Sequence, residues 1–243
     1  MLLALASSDL AWTGSNAFSL IGYSLGGGVA VHFAVTFPHL VSSLILLAPA
    51  GLIRPENFGI VTRFVFTAGL IPERLLAAIT KHKLQKPIAA SSKRNSNGKV
   101  PHPDRTTDPI SFSLTEAADP PASSPEKITP LEVRVIRYVQ WMLNHHDGFI
   151  PAFMSCIRDA PLVGQQGAWR RLALRGHQGK GRGRTLVILA KDDEIIDPDH
   201  YKSDAIPLVG DSVEWATVPG GHDFPMTYER ETLVEIYKVW GVL

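Results

Sequence analysis

At 243 residues the chain is long enough for one sizeable core, or for a core carrying an inserted helical segment. An apolar fraction of 45% with 19% charged residues is that of an ordinary soluble globular protein and excludes a disordered or collagen-like chain. Twenty-four basic against twenty-three acidic side chains leave a net charge of +1, so no global field recruits nucleic acid or an anionic membrane surface.

Taken in order, residues 2–12 read as the end of a helix. Met1-Leu2-Leu3-Ala4-Leu5-Ala6 has no basic residue before it and is followed at once by Asp9 and Trp12, so it does not read as a secretory signal. Nor does any apolar run approach the length of a membrane span. A cytoplasmic location is the expectation. Thr13-Gly14-Ser15-Asn16 turns into a strand over 17–22, and Gly22-Tyr23-Ser24-Leu25-Gly26 follows, leading into helical spacing from Val29 to about Phe37. Strand, tight turn and helix around a Gly-x-Ser-x-Gly make Ser24 a candidate nucleophile: the serine takes a strained backbone, Gly22 and Gly26 supply small neighbours, and the helix N-terminus favours developing negative charge. Val41 to Ala48, apolar save for Ser42 and Ser43, is a short run closed by Pro49, as in a strand buried on both faces of a parallel sheet. The unit so formed is βαβ.

From Gly51 to about Gly183 the period becomes helical, at 57–70, 72–84, 131–146 and 149–159. Residues 85–130, rich in Pro, Ser, Lys, Asn and Asp, read as a disordered or inserted linker. Alternation then returns with a strand at 185–190, an acidic turn at 191–198, a short helix near 199–206, a strand at 213–218 and Pro219-Gly220-Gly221-His222-Asp223. A final helix, about 227–240, is expected to present Leu233, Ile236, Tyr237 and Trp240 on one face. The organisation predicted is a core segment 1–50, a helical segment 51–183 and a second core segment 184–243.

A serine hydroxyl needs a base within hydrogen-bond reach and a third group to orient that base. Such groups converge at the carboxyl ends of strands in open parallel sheets. Here those ends carry Ser24, an aspartate of the 192–197 turn, and His222, in the chain order Ser, Asp, His. Asp192, Asp193 and Asp197 are all candidates for the acid. His145, His146 and Asp147 do not suggest a metal site, because adjacent helical histidines diverge and no third ligand has suitable spacing. Cys156, the single cysteine, excludes an internal disulfide and is expected as a small buried hydrophobe. The cluster Arg170, Arg171, Arg175, Lys180, Arg182 and Arg184, interleaved with glycine and without aromatics, reads as a solvated loop and not as a nucleic-acid site.

At these residues the chain resembles the α/β-hydrolase superfamily, specifically its lidded serine hydrolases. The resemblance implies an α/β class: a partial α/β-hydrolase fold, its mostly parallel sheet flanked by helices, with residues 51–183 as a helical lid. It implies Asp193 as the orienting acid, from Ala190-Lys191-Asp192-Asp193, where the family usually has Gly at the position of Ala190. His222 is the implied base, and Leu25 N–H one oxyanion donor. Tyr23, Trp141, His145, Phe149, Phe153, Met154 and Trp169 are implied to contact substrate. The implied activity is hydrolysis of a small-molecule ester, thioester or lactone without metal or cofactor; the same triad serves carbon–carbon bond hydrolysis. Only about 17 residues precede the elbow strand, and none matches the family's second oxyanion donor. The elbow strand is therefore expected as an exposed apolar edge, available for pairing in a homodimer, and a catalytically impaired interaction module is the alternative function.

Overall fold

A computed structural model describes residues 5–54, 72–85, 130–177, 183–193 and 195–242. The helix expected at 57–70 lies outside these residues, as does the insertion at 85–130 save for its two end positions. Of the helix expected over 2–12, residues 5 and 6 are helical among those described. The chain divides into two compact units: Met1–Asn57, Ala160–Phe224 and Tyr228–Leu243 form the first, and Phe58–Asp159 with Pro225–Thr227 the second. Residues 160–177 and 183, expected with the helical segment, thus group with the sheet.

Among its described residues the first unit is built on four parallel strands in the order β1 (Phe18–Tyr23), β2 (Val41–Leu47), β3 (Arg184–Ala190) and β4 (Glu214–Val218). Leu44 to Leu47 and Thr185 to Ala190 are all buried, which is why the two central strands read as unbroken apolar runs rather than as alternation. Among the described residues β1 is an edge strand, with Ile21 and Tyr23 exposed. Helix α1 (Leu25–Thr36) packs on β1 and β2.

The second unit is described through α2 (Glu73–Gln85), α3 (Pro130–His145) and α4 (Phe149–Asp159). Leu76, Leu143, Ile150 and Met154 form its core, with Ala77 and Phe149 against them. Arg158 donates to both carboxylate oxygens of Glu73, at 3.0 Å each. Cys156 is exposed, contrary to expectation. Two residues beyond Met154, about 200° round the helix, it points away from the face that Ile150 and Met154 bury.

Three further helices of the first unit and one short helical turn complete the described fold. Helix α5 (Gln166–Ala173) was not among the expected elements; Ala168, Trp169 and Leu172 face inward and Arg170 and Arg171 outward. The basic segment therefore begins as an amphipathic helix and not as a solvated loop, because three apolar residues at helical spacing outweigh two arginines that only need water. Its members also part company: Arg184 pairs with Glu214, Arg175 is buried, and Lys180 and Arg182 lie outside the described residues. Helix α6 (Pro198–Val209) follows β3, capped by Asp197, and a short turn of helix, α7 (Phe224–Thr227), buries Phe224. Helix α8 (Glu229–Trp240) buries Thr232, Ile236 and Val239, whereas Leu233 and Trp240 are exposed. The expected face was rotated: Thr232, polar by type, spends its hydroxyl on the Tyr228 carbonyl at 2.8 Å and so buries without an unmet donor.

Arg175 is 3% exposed and donates through Nη1 to the Ala34 carbonyl at 3.0 Å and through Nη2 to the Val41 carbonyl at 3.1 Å. It ties the last turn of α1 to the first residue of β2. Removing it strands two carbonyls, each costing about 1–3 kcal/mol if left unpaired. Arg175→Met is expected to lower unfolding stability by about 2–4 kcal/mol in urea denaturation; a loss within error would show that water replaces the guanidinium.

The turn between β1 and α1 is tightened by glycine at Gly22, as expected, and at Gly27 in place of Gly26. A Cβ on Gly22 would stand 2.6 Å from the Ala30 Cβ and 2.6 Å from the Gly26 carbonyl oxygen, and one on Gly27 would stand 2.6 Å from the Pro49 Cβ. A Cβ on Gly26 would meet nothing within 4 Å. Close approach of strand, helix and the loop after β2 is therefore what demands glycine, at 22 and 27. Gly22→Ala is expected to destabilise by about 1–3 kcal/mol, while Gly26→Ala is neutral or stabilising by up to about 1 kcal/mol, as for a glycine inside a helix. Paired thermal melts check this, and equal losses would defeat it.

Candidate active site

Ser24, Asp193 and His222 each stand just beyond the carboxyl end of a strand, after β1, β3 and β4 respectively. The parallel ladder runs on past the strand ends and carries these loops with it. Ser24 N–H donates to the Leu47 carbonyl at 2.9 Å, and Ala48 N–H to that of Ile188 at 2.8 Å. Lys191 N–H donates to Val218 at 2.9 Å and Asp192 N–H to Gly220 at 3.0 Å. The loops are thus registered against one another by main-chain bonds before any side chain acts.

Ser24 has φ 51° and ψ −123°, an uncommon conformation for a residue with a Cβ. Its carbonyl accepts from Ala50 N–H at 2.8 Å and from Gly27 N–H at 2.9 Å, so both of its peptide groups are held. Strain of this kind persists only where the surroundings over-determine it. Leu25 opens α1, and the first N–H groups of a helix have no intrahelical acceptor. The turn therefore sets a hydroxyl beside a helix N-terminus.

His222 Nε2 lies 2.9 Å from Ser24 Oγ, and His222 Nδ1 lies 2.8 Å from Asp193 Oδ2. Asp193 Oδ1 accepts from the Ile195 and Ile196 N–H groups at 2.9 and 2.8 Å, and the residue is 5% exposed. With one oxygen occupied by two main-chain donors, the other is aimed at the imidazole. An acceptor on that side places the proton of neutral His222 on Nδ1 and leaves the Nε2 lone pair facing the serine hydroxyl. Of the three candidate aspartates, Asp193 is the one in contact with His222. Asp192 is exposed, and Asp197 caps α6 by accepting from His200 N–H at 2.8 Å.

The remaining expected site residues are spread through both units. Tyr23 adjoins the site: its hydroxyl donates to the His222 carbonyl at 2.7 Å and its ring lies 5.3 Å from the imidazole. That contact spans 199 residues of chain, and no local pattern announces it. Trp169 is fully buried in the first unit, edge-on to Tyr201. In the second unit Met154 is core, Phe149 packs against that core, Phe153 is half-buried, and Trp141 is exposed and stacked between Tyr138 and His145. Among the described residues no group of three or more His, Cys, Asp or Glu side chains is placed to hold a metal ion. No described helix is long and apolar enough to cross a membrane.

Comparison with known proteins agrees with this architecture. Among solved structures the chain is similar to a bromoperoxidase from Bacillus anthracis (13% identity, TM-score 0.56, covering 93% of this chain and 67% of that one). It is also similar to an α/β hydrolase enzyme from a Medee basin deep-sea metagenome library (11% identity, TM-score 0.57, covering 99% and 70%). A third is the 2-hydroxy-6-oxo-6-phenylhexa-2,4-dienoate hydrolase of Rhodococcus sp. strain RHA1 (13% identity, TM-score 0.53, covering 91% and 63%). At such identities the likeness is one of fold, and the chain spans about two thirds of the length of these structures. An uncharacterized protein of Mycobacterium bovis is 49% identical over 39 residues, which are 16% of this chain and 11% of that protein. The family model for the α/β hydrolase fold matches residues 11–227, and with nine-tenths of the sequence so aligned on a parallel sheet bearing a serine elbow, the chain belongs to the α/β hydrolase fold family.

Proposed function

We propose that this chain is a serine hydrolase of small-molecule ester, thioester or lactone substrates, acting through Ser24, His222 and Asp193. The observation that carries the reading is the unbroken hydrogen-bonded line from Ser24 Oγ through His222 to Asp193, at 2.9 and 2.8 Å, on a serine held at positive φ. Ser24 Oγ attacks the substrate carbonyl carbon as its proton passes to His222 Nε2. Asp193 holds the ring and stabilises the imidazolium, and Leu25 N–H donates to the oxyanion. Collapse expels the alcohol, thiol or ring oxygen, which takes the proton from His222. Water then gives its proton to the same nitrogen, attacks the acyl-enzyme and releases the acid, with Ser24 leaving as the hydroxyl.

A fluorophosphonate probe is expected to label Ser24 in the folded protein and to leave Ser24→Ala unlabelled, as read by intact-mass and peptide mass spectrometry. With p-nitrophenyl acetate, Asp193→Asn is expected to lower kcat on the order of 10⁴-fold, because the amide presents the wrong partner to Nδ1. A folded wild-type protein that neither labels nor turns over the ester would defeat the proposal and favour an interaction role for the fold.

A further inference from the structure

We infer that Tyr23 is a positioning residue for His222, fixing the main chain that carries the general base while the neighbouring Ser24 supplies the nucleophile. This inference rests on the serine hydrolase reading above. The Nδ1–H bond to Asp193 Oδ2 and the Nε2 contact with Ser24 Oγ orient the imidazole but do not by themselves locate the main chain that carries it. What sets the position of Nε2 relative to Ser24 Oγ is then the location of the His222 backbone. That backbone lies in the loop between β4 and α7, where Gly220 has φ +93° and Gly221, His222 and Asp223 are all partly exposed. The loop is tied on either side of His222, by Asp192 N–H to the Gly220 carbonyl and by Phe224 N–H to the Gly221 carbonyl. At His222 itself the carbonyl accepts from the Tyr23 hydroxyl at 2.7 Å.

The Tyr23 ring adds a second restraint, standing 5.3 Å from the imidazole at an interplanar angle of 32° and limiting rotation toward β1. Partial burial of the phenol, then the negative charges of Asp223 and Asp193, push it above the ordinary tyrosine value, so it remains a proton donor wherever an ester hydrolase would be assayed. Because Tyr23 and Ser24 are consecutive, the base is referenced to the nucleophile through a single peptide unit. A displacement of about 1 Å at such a contact is enough to cost on the order of 100-fold in rate. With its hydroxyl committed to His222, Tyr23 has a role different from the substrate contact that the resemblance implies.

The test compares wild type, Tyr23→Phe and protein carrying 3,5-difluorotyrosine at position 23, using fluorophosphonate labelling of Ser24 and p-nitrophenyl acetate turnover. Tyr23→Phe is expected to slow labelling and lower kcat by about 10- to 100-fold with KM within twofold. The fluorinated side chain, matched in size and more acidic, is expected to give wild-type rates at neutral pH and a new loss of kcat at higher pH as the donor ionises. That limb would not appear if the ring merely filled space, and it keeps the test open should Tyr23→Phe fold poorly. A Tyr23→Phe protein with wild-type kcat and a raised KM would make Tyr23 a substrate contact and overturn the inference. Wild-type labelling with all three proteins alike would overturn it while leaving the hydrolase reading intact; an unlabelled, inactive wild type would overturn both.

Discussion

The interaction on which the site depends is the continuation of the parallel ladder beyond the ends of its strands. Ser24 N–H bonds to Leu47 and the Ser24 carbonyl receives Ala50 N–H, so the strained residue is clamped from the β2 side at both peptide groups. Ala48, also at positive φ, is in turn tied to Ile188 on β3. Strain of about 1–3 kcal/mol at a single residue would relax in a free loop. Here it cannot relax without breaking bonds that hold the adjacent loop, and that loop's bonds hold the next. The serine hydroxyl is therefore presented by the sheet as a whole.

From that constraint the rest of the site follows in order. The β3 loop is locked at Lys191 and Asp192 to Val218 and Gly220, which leaves Asp193 as the first side chain free to turn inward. Its burial is tolerable because its carboxylate accepts two main-chain N–H bonds and one from the imidazole. A buried carboxylate with fewer partners would cost several kcal/mol. Asp192, one residue earlier, lies in the turn after β3 and faces solvent.

Much of this was legible from the sequence because the informative signals were local. A strand, a Gly-x-Ser-x-Gly turn and a helix occupy adjacent residues, and each of the four strands was expected within a residue or so of its observed limits. Continuous apolar runs at β2 and β3 mean burial on both faces, and they were read so. The misreadings share a different cause. The face of α8 and the burial of Cys156 depend on which side of a helix meets a neighbour, and a helix carrying apolar residues over more than half its circumference does not declare that side. Gly26 looked necessary because the motif names it; the steric demand sits at Gly22 and Gly27, set by Ala30 and Pro49, which only folding brings near.

Large apolar side chains were the least reliable guide to the site, and the reason is energetic. Trp169 and Met154, both expected to contact substrate, are fully buried in the cores of separate units. Burying a side chain of that size stabilises a fold by roughly 1.5–3 kcal/mol, so a core claims such residues wherever helical spacing allows it. A polar group gains nothing by burial unless a partner is placed for it. The imidazole of His222, the carboxylate of Asp193 and the phenol of Tyr23 each meet such a partner at 2.7 to 2.9 Å, across 29 to 199 residues of intervening chain. The candidate site is marked by polar groups whose partners are distant in sequence, and Tyr23, whose partner is a main-chain carbonyl, is the one that no side-chain motif could reveal.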